Sequence, residues 1–203
     1  MLQTQTIEPK LLELLNKIMT SELFEEFNLV GGTSLALQIG HRFSVNIDMF
    51  GNSEINEVEF TEELSNFGKV ITLKKSKSII IFSVDGIKVD FVNYKYPLIE
   101  SLNTIKNIRM VSDKDVAAMK LNAIAGRGSR KDFIDLYFLL KKYSLKELFS
   151  FYNKKYADGS EFMVLKSLTY FDDAENEEMP IMFEEVNWNE IKNTIVKAAS
   201  NLV

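Results

Sequence analysis

The chain has 203 residues, of which 46% are hydrophobic and 26% are charged, and its formal net charge is −5. This length suits one domain, or a core with an appendage, and buries enough surface to fold without covalent staples. The lack of cysteine excludes disulfides, thiolate nucleophiles and cysteine-based zinc sites, and the single histidine, His41, excludes sites that need several imidazole ligands.

The first half of the chain predicts alternating helices and strands. Pro9 and the apolar stripe after it predict a helix over 9–20, which residues 24–27 extend or follow. A helix begins near residues 35–38, and alternation predicts a strand over 45–50 with Val45, Ile47 and Met49 on one face. The remaining elements are a helix over 61–67 and strands over 70–73, 78–84 and 87–94, the last two joined by a hairpin turn at Asp85-Gly86.

The second half of the chain predicts helices. They cover 114–125 with Ser112 as the N-cap, 130–143 with Ser129 as a possible cap, 144–155, and 189–202. The fold class is therefore α/β (α+β): a small mixed β-sheet with flanking helices and a helical C-terminal half. We expect an α/β core over 1–110 and a helical half over 111–203 that pack together as one compact unit.

Charge and hydropathy indicate where the protein is located and what it binds. No apolar run approaches the roughly 20 residues that span a bilayer, and the N-terminus lacks the features of a signal peptide. These features predict a soluble, cytoplasmic protein with no membrane partner. A pI near 5.1 argues against a chain that coats nucleic acid non-specifically. Residues 106–146 nevertheless hold ten Lys or Arg against four Asp, whereas residues 167–191 hold eight acids and no Lys or Arg. Two solvated helical faces account for this, and the alternative is a basic anion site facing an acidic tail.

A glycine-rich turn is the first candidate functional feature. Gly31 and Gly32 allow backbone N–H groups to approach an anion, and the helix N-terminus that follows adds positive potential. Thr33 and Ser34 add hydroxyl groups that can bond phosphate oxygens. Such a turn alone favours an ordinary helix entry, so its spacing from the next strand matters.

Two strands place acidic side chains in reach of that turn. Asn46 and Asp48 point to the same face of the strand over 45–50 because they are two residues apart. Asp90 interrupts an apolar strand, and it meets Asp48 if the two strands are neighbours. Two carboxylates about 4 Å apart repel each other by roughly 4 kcal/mol at an effective dielectric near 20, and Mg²⁺, which prefers oxygen ligands, reverses that sign. The alternative for Asp90 is an exposed edge position.

Three segments together resemble the AbiEii/AbiGii toxin nucleotidyltransferase family, within the polymerase-β-like superfamily. They are Gly31-Gly32-Thr33-Ser34-Leu35-Ala36-Leu37, the segment 40–50 ending in Asn46-Ile47-Asp48-Met49-Phe50, and residues 120–124 together with residues 127–137, which end in Asp135-Leu136-Tyr137. The resemblance covers residues 25–145 best, and the tail around 171–188 also resembles family tails.

The resemblance implies a nucleotidyltransferase core and transfer of a nucleoside monophosphate from a nucleoside triphosphate to RNA, such as tRNA, or to a protein acceptor. It implies Mg²⁺ or Mn²⁺ as cofactor and a cognate antitoxin as a possible partner. By position, Gly32 and Thr33 would contact phosphate, and Ser44, Asn46 and Asp48 would form the metal-binding strand. The remaining implied site residues are Lys120 for the triphosphate, with Arg127, Lys131 and either Asp132 or Asp135.

One position departs from the family pattern, because Asn46 stands where the family has Asp. An asparagine offers a carbonyl oxygen but no charge, and a shared carboxylate offsets repulsion between two metal ions. The sequence therefore leaves open a slowed enzyme, an enzyme relying on Asp48 and Asp90, or a catalytically impaired nucleotide-binding module. A kinase-like phosphotransferase on the same motifs is a further alternative.

Five residues near these motifs have structural alternatives. His41 has a structural role, orients the substrate, or acts in acid–base catalysis. Arg42 pairs with phosphate or with an acid, and Asp135 lies one helical turn from Lys131, which permits an ordinary i,i+4 pair. Lys120 either binds phosphate or snorkels from an apolar helix face. Trp188 belongs to the core or offers a stacking surface.

Overall fold

The computed structural model describes residues 1–202. The chain divides into two compact units. The first contains residues 1–40, 44–96 and 102–111, and the second contains residues 41–43, 97–101 and 112–202. Two short segments, 41–43 and 97–101, therefore belong to the second unit although they lie within the first half of the sequence.

The first unit is built on a seven-stranded mixed sheet. Its helices are α1 (Pro9–Thr20), α2 (Gly31–Ile39) and α3 (Glu57–Ser65), and its strands are β1 (Phe27–Leu29), β2 (Asn46–Gly51), β3 (Val70–Lys75), β4 (Ile79–Val84), β5 (Ile87–Asn93), β6 (Asn103–Ile105) and β7 (Ile108–Met110). The strand order is β3-β4-β5-β2-β1-β7-β6. β2 runs antiparallel to β1 and parallel to β5, so β2 lies at the centre of the sheet.

The hairpin between β4 and β5 confirms the predicted turn. Asp85 and Gly86 have φ angles of 47° and 85°, and Val84 pairs with Ile87 across them. Positive φ at both central residues is the geometry of a type I′ turn, which matches the right-handed twist of the strands.

One face of this sheet forms the core of the first unit. Ile47 and Met49 of β2 are fully buried in a cluster with apolar residues of α1, α3 and the neighbouring strands. Four phenylalanines, Phe24, Phe27, Phe60 and Phe91, pack mutually in this core with ring centroids 4.8–5.7 Å apart. Asn46 and Asp48 alternate with the buried positions and so lie on the opposite face.

The second unit is helical. Its helices are α4 (Asp113–Gly126), α5 (Arg130–Leu140), α6 (Leu145–Lys155), α7 (Glu161–Ser167) and α8 (Trp188–Ser200). α4 packs against α5, α6 and α7, and α5 packs against α8. Ser112 caps α4, and Ser144 forms a capping box with Glu147 at the start of α6.

The α/β class, the sheet and the helical C-terminal half are confirmed, and several predicted bounds are wrong. The helix predicted over 61–67 begins at Glu57, because Asn56 caps it by accepting two backbone N–H bonds. Val45 precedes β2 and is 50% exposed instead of sharing the buried face. The helix predicted over 130–143 ends at Leu140, and β1, β6, β7 and α7 were not predicted. Across residues 1–202, no helix is long and apolar enough to span a bilayer.

Candidate functional site

The glycine turn lies directly beside Asp48. Val30, the residue before α2, donates its backbone N–H to the Asp48 carbonyl at 2.9 Å. Gly31 adopts φ +67°, and a Cβ at that position would lie 2.7 Å from Asp48 Oδ2. Both the backbone conformation and the close approach therefore require glycine at position 31.

The sheet brings the two predicted acids together. β2 and β5 are parallel neighbours with Asp48 opposite Asp90 and Asn46 opposite Lys88. Residues paired in this way point to the same face, so the two carboxylates share the sheet face opposite the core. Lys88 was not singled out from the sequence, although its i,i+2 spacing from Asp90 places both on that face. Its Nζ donates to Asp90 Oδ2 at 2.6 Å.

The chemistry of this pair fits a hard divalent cation. Asp90 Oδ1 is buried and makes no hydrogen bond within residues 1–202, and a buried carboxylate oxygen in that state is costly unless a cation or water satisfies it. Asn46, on the same face, adds an amide oxygen. Within residues 1–202, no group of three or more His, Cys, Asp or Glu side chains is arranged to hold a metal. The available donor set is thus two carboxylates and one amide.

The hydroxyls near the glycine turn have partners inside the protein. Thr33 Oγ1 donates to the Asn46 carbonyl and accepts from Ser44 Oγ at 2.7 Å, and both side chains are buried. Ser34 Oγ accepts from Gln38 Nε2 at 3.0 Å. Through these hydrogen bonds, Thr33 and Ser44 connect α2 to the start of β2, a role that the sequence did not predict.

A second set of predicted residues forms a buried ionic cluster in the helical unit. Asp135, with no exposed side-chain surface, accepts from Arg42 Nε at 2.7 Å and lies 2.7 Å from both Lys120 Nζ and His41 Nε2. Asp132 accepts from Lys120 Nζ at 2.8 Å, and its partners also include Arg127 Nε and Ser129 Oγ. Ser129 occupies the N-cap position of α5, yet its hydroxyl bonds to Asp132 instead of to backbone.

The cluster gives internal partners to four of the residues with structural alternatives. Arg42 pairs with an acid, and His41 is a fully buried partner of Asp135. The alternative i,i+4 pair is not what satisfies Asp135, which instead binds Arg42 and Lys120 from other segments of the unit. Lys120 is engaged by two carboxylates with only 7% of its side chain exposed, so it does not snorkel. Lys131 and Arg127 are exposed.

In this cluster the ion pairs have a larger effect on the side-chain pKa values than burial does. Burial alone would raise the pKa of Asp135, but Arg42 and Lys120 hold that pKa well below its usual value. Burial likewise opposes ionisation of Asp132, but Lys120 and Arg127 lower its pKa to about 2. Burial would lower the pKa of Lys120, and the two carboxylates outweigh that effect and raise it. All three groups are therefore charged at neutral pH.

Because of this cluster, the free energy of unfolding should depend on pH. The pKa of Asp132 falls from near 3.9 in an unfolded chain to about 2 in the folded state. We expect its contribution of about 2–3 kcal/mol to be complete above about pH 5 and to be lost progressively as the pH falls through 4 toward 2. Urea unfolding between pH 6 and pH 2.5 measures this. The variant Asp132→Asn should lose less stability over that range, and an equal pH dependence in both proteins would contradict the assignment.

Trp188 lies partly buried at the start of α8. Its ring is in edge contact with Phe133 and Phe171, and the Arg130 guanidinium lies 4.8 Å from its centroid. Lys192 Nζ lies 5.7 Å from the same ring. The ring is thus used in packing and cation–π contacts within the helical unit.

Comparison with known proteins identifies the family. The sequence-family model described as the nucleotidyl transferase AbiEii toxin of a type IV toxin–antitoxin system matches residues 13–201. An uncharacterized Aquifex aeolicus protein, aq_aa25, is 39% identical over 188 residues, covering 89% of each chain.

Solved structures share the fold at low sequence identity. A candidate nucleotidyltransferase from H. pylori has a TM-score of 0.61 at 16% identity, covering 95% of this chain and 91% of that one. MenT4, a nucleotidyltransferase toxin from Mycobacterium tuberculosis, has a TM-score of 0.57 at 13% identity, covering 95% and 82%. The family match over nearly the whole length decides the assignment: the chain belongs to the AbiEii nucleotidyl transferase toxin family.

Proposed function

We propose that this nucleotidyltransferase moves a nucleoside monophosphate from a nucleoside triphosphate to an RNA or protein acceptor, as the toxin of a toxin–antitoxin pair with a cognate antitoxin. The observation that carries the proposal is the register of β2 and β5, which pairs Asp48 with Asp90 beside a glycine turn that opens a helix. An anion-binding turn next to two carboxylates is the arrangement that a metal-bound polyphosphate requires.

Within this proposal, Asp48 and Asp90 hold Mg²⁺ or Mn²⁺, and the Asn46 amide oxygen is a third donor. When bound, such an ion neutralises phosphate charge and orients the reacting oxygens. Backbone N–H groups at Gly31 and Gly32 bind phosphate oxygens at the start of α2. Lys88 offsets the charge of Asp90 through its 2.6 Å ion pair.

The remaining residues of this proposal lie in the helical unit. Arg127 and Lys131 are exposed and are assigned to phosphate oxygens, as the family resemblance implies. Asp132 and Asp135 act as positioning residues for Lys120, the residue that the family resemblance assigns to the triphosphate. Each holds Lys120 through a contact of 2.7–2.8 Å. Arg42 belongs to the same support through its two bonds to Asp135. Phosphoryl chemistry of this kind depends on positioning and electrostatics more than on proton transfer.

The test uses the protein with each of four α-labelled nucleoside triphosphates and Mg²⁺, offered total cellular RNA or total cellular protein. Nucleotidyl transfer leaves the α-label on the acceptor, and nuclease or protease digestion then identifies the acceptor class. The matched γ-labelled nucleotides give no labelled acceptor if the proposal holds. Label transferred from the γ position alone would instead establish the kinase-like alternative.

Asn46 supports a second candidate, a nucleotide-binding module with impaired catalysis. Restoring the acid with Asn46→Asp adds a third carboxylate to the face that carries Asp48. We expect at least a tenfold rise in transfer, about 1.4 kcal/mol of barrier, together with tighter Mn²⁺ binding in a titration followed by electron paramagnetic resonance.

The control for that variant is Asn52→Asp, which adds the same charge at an exposed position after β2. It should change neither transfer nor Mn²⁺ affinity. Transfer that stays undetectable in both the natural chain and Asn46→Asp would favour the binding module. Equal Mn²⁺ affinity in the natural chain and Asn46→Asp would remove Asn46 from the proposed ligand set.

A further inference from the structure

Three aromatic rings form a ladder at one end of the sheet in the first unit. The Phe50 and Tyr94 ring centroids lie 5.0 Å apart with their planes inclined by 51°. The Tyr94 and Tyr96 centroids lie 5.1 Å apart with an inclination of 54°. Phe50 and Tyr94 are partly buried, and Tyr96 is 40% exposed. We call Phe50, Tyr94 and Tyr96 the aromatic ladder.

The aromatic ladder does not belong to the core. Phe24, Phe27, Phe60 and Phe91 fill the core face of the sheet and are at most 2% exposed. Phe50 alternates along β2 with the buried Ile47 and Met49, so it lies on the opposite face, where Asp48 also lies. Phe50, the first ring of the ladder, therefore lies on the face that carries the acid pair, and Tyr94 and Tyr96 continue from it through ring contacts.

The ladder and the glycine turn lie on opposite sides of Asp48 along β2. Phe50 is two residues beyond Asp48, which separates their Cα atoms by about 7 Å. The Tyr94 N–H donates to the Gly51 carbonyl at 2.7 Å, so the pairing of β2 with β5 continues up to the ladder. On the antiparallel neighbour β1, Asn28 pairs with Phe50, whereas Val30, at the start of the turn, bonds to Asp48. The order along this face is glycine turn, acid pair, aromatic ladder.

That order matches the order of groups in a nucleoside triphosphate. Its β- and γ-phosphates, its α-phosphate and its base follow one another along the molecule, and the base is the flat aromatic group that stacks on aromatic side chains. We propose that the aromatic ladder is the subsite for the nucleobase of the incoming nucleoside triphosphate, with Tyr96 as its most accessible ring. This inference rests on the proposed function, because the acid pair and the glycine turn must hold the phosphates for the base to reach the ladder.

Calorimetric titration with Mg²⁺ present compares nucleoside triphosphates with inorganic tripolyphosphate, which carries the charge but no base. The proteins are the natural chain, Tyr96→Ala and Tyr96→Phe. Tyr96→Ala should weaken binding of the preferred nucleotide about 5- to 150-fold and leave tripolyphosphate affinity unchanged. Tyr96→Phe keeps a stacking ring and should bind the nucleotide within about twofold of the natural chain. Phe50→Leu, which removes the ring nearest Asp48, should reproduce the selective loss.

The outcomes distinguish failure of the proposed function from failure of the base subsite. If the natural chain binds neither nucleotide nor tripolyphosphate, the proposed function fails, and the ladder has no ligand of this class. If it binds both with equal affinity, or if Tyr96→Ala binds nucleotide as the natural chain does, the ladder inference is overturned and the phosphate site stands. A Tyr96→Ala variant that loses affinity for acceptor RNA while keeping nucleotide affinity also overturns it, because the ladder would then bind the acceptor.

Discussion

Replacing Asp48 with asparagine is expected to lower nucleotide transfer by about a thousandfold. The change keeps the size of the side chain but removes a carboxylate from the face that Asp90 shares, and a metal ion contributes several kcal/mol to stabilising charge in phosphoryl transfer. The loss should appear in the initial rate of α-label incorporation at saturating nucleotide and Mg²⁺. Asp90→Asn should give a loss of similar size.

The fold should survive this substitution. Asparagine keeps the size of the side chain and one hydrogen-bonding oxygen, so Asp48→Asn should unfold within about 2 °C of the natural chain. Asp158→Asn, at an exposed position in the helical unit, serves as the matched control and should leave transfer unchanged. Transfer that persists in Asp48→Asn within tenfold of the natural rate would show that the acid pair is not the reacting centre.

Replacing Asp135 with alanine is expected to cost about 3–5 kcal/mol of unfolding free energy. The substitution leaves Arg42 and Lys120 as buried cations with one carboxylate fewer between them, and breaking one partner of a buried ion pair has a cost of that size. For a chain of this length the loss corresponds to a fall of roughly 6–20 °C in the melting temperature. Thermal unfolding followed by circular dichroism measures it.

The control for this variant is Asp158→Ala, which removes an exposed carboxylate of the same helical unit and should change the melting temperature by less than about 2 °C. Asp135→Asn should fall between alanine and the natural residue, because the amide still accepts hydrogen bonds but carries no charge. A melting temperature unchanged in Asp135→Ala would contradict the description of Asp135 as the centre of the buried ionic cluster.

The sequence allows local features of the fold to be predicted well. Asp85-Gly86 predicts both the turn and the pairing of the strands on either side, because positive φ at two adjacent residues is a strictly local requirement. Ser112 and Ser144 mark helix starts for a similarly local reason, the satisfaction of the first backbone N–H groups. The α3 helix shows where this fails, because Asn56 caps it several residues before the apolar stripe becomes visible.

Contacts between distant segments are harder to predict. The sequence identifies Asp48 and Asp90 as carboxylates on strands, but only the adjacency of β2 and β5 pairs them, and no short-range pattern encodes that adjacency. The partners of Asp135 are a clearer case. Lys131, four residues away, is the partner that the local spacing offers as an alternative, whereas the structure supplies His41 and Arg42 from more than 90 residues earlier. Burial of all these charges together is a tertiary property.

The most direct test of the central claim is the binding of Mn²⁺ to the natural chain, Asp48→Asn and Asp90→Asn, followed by electron paramagnetic resonance with a non-hydrolysable nucleoside triphosphate present. If Asp48 and Asp90 jointly hold the cation, the natural chain should bind Mn²⁺ at least tenfold more tightly than either variant, with each variant alone producing the loss. Mn²⁺ affinity that is the same in all three proteins would contradict the account.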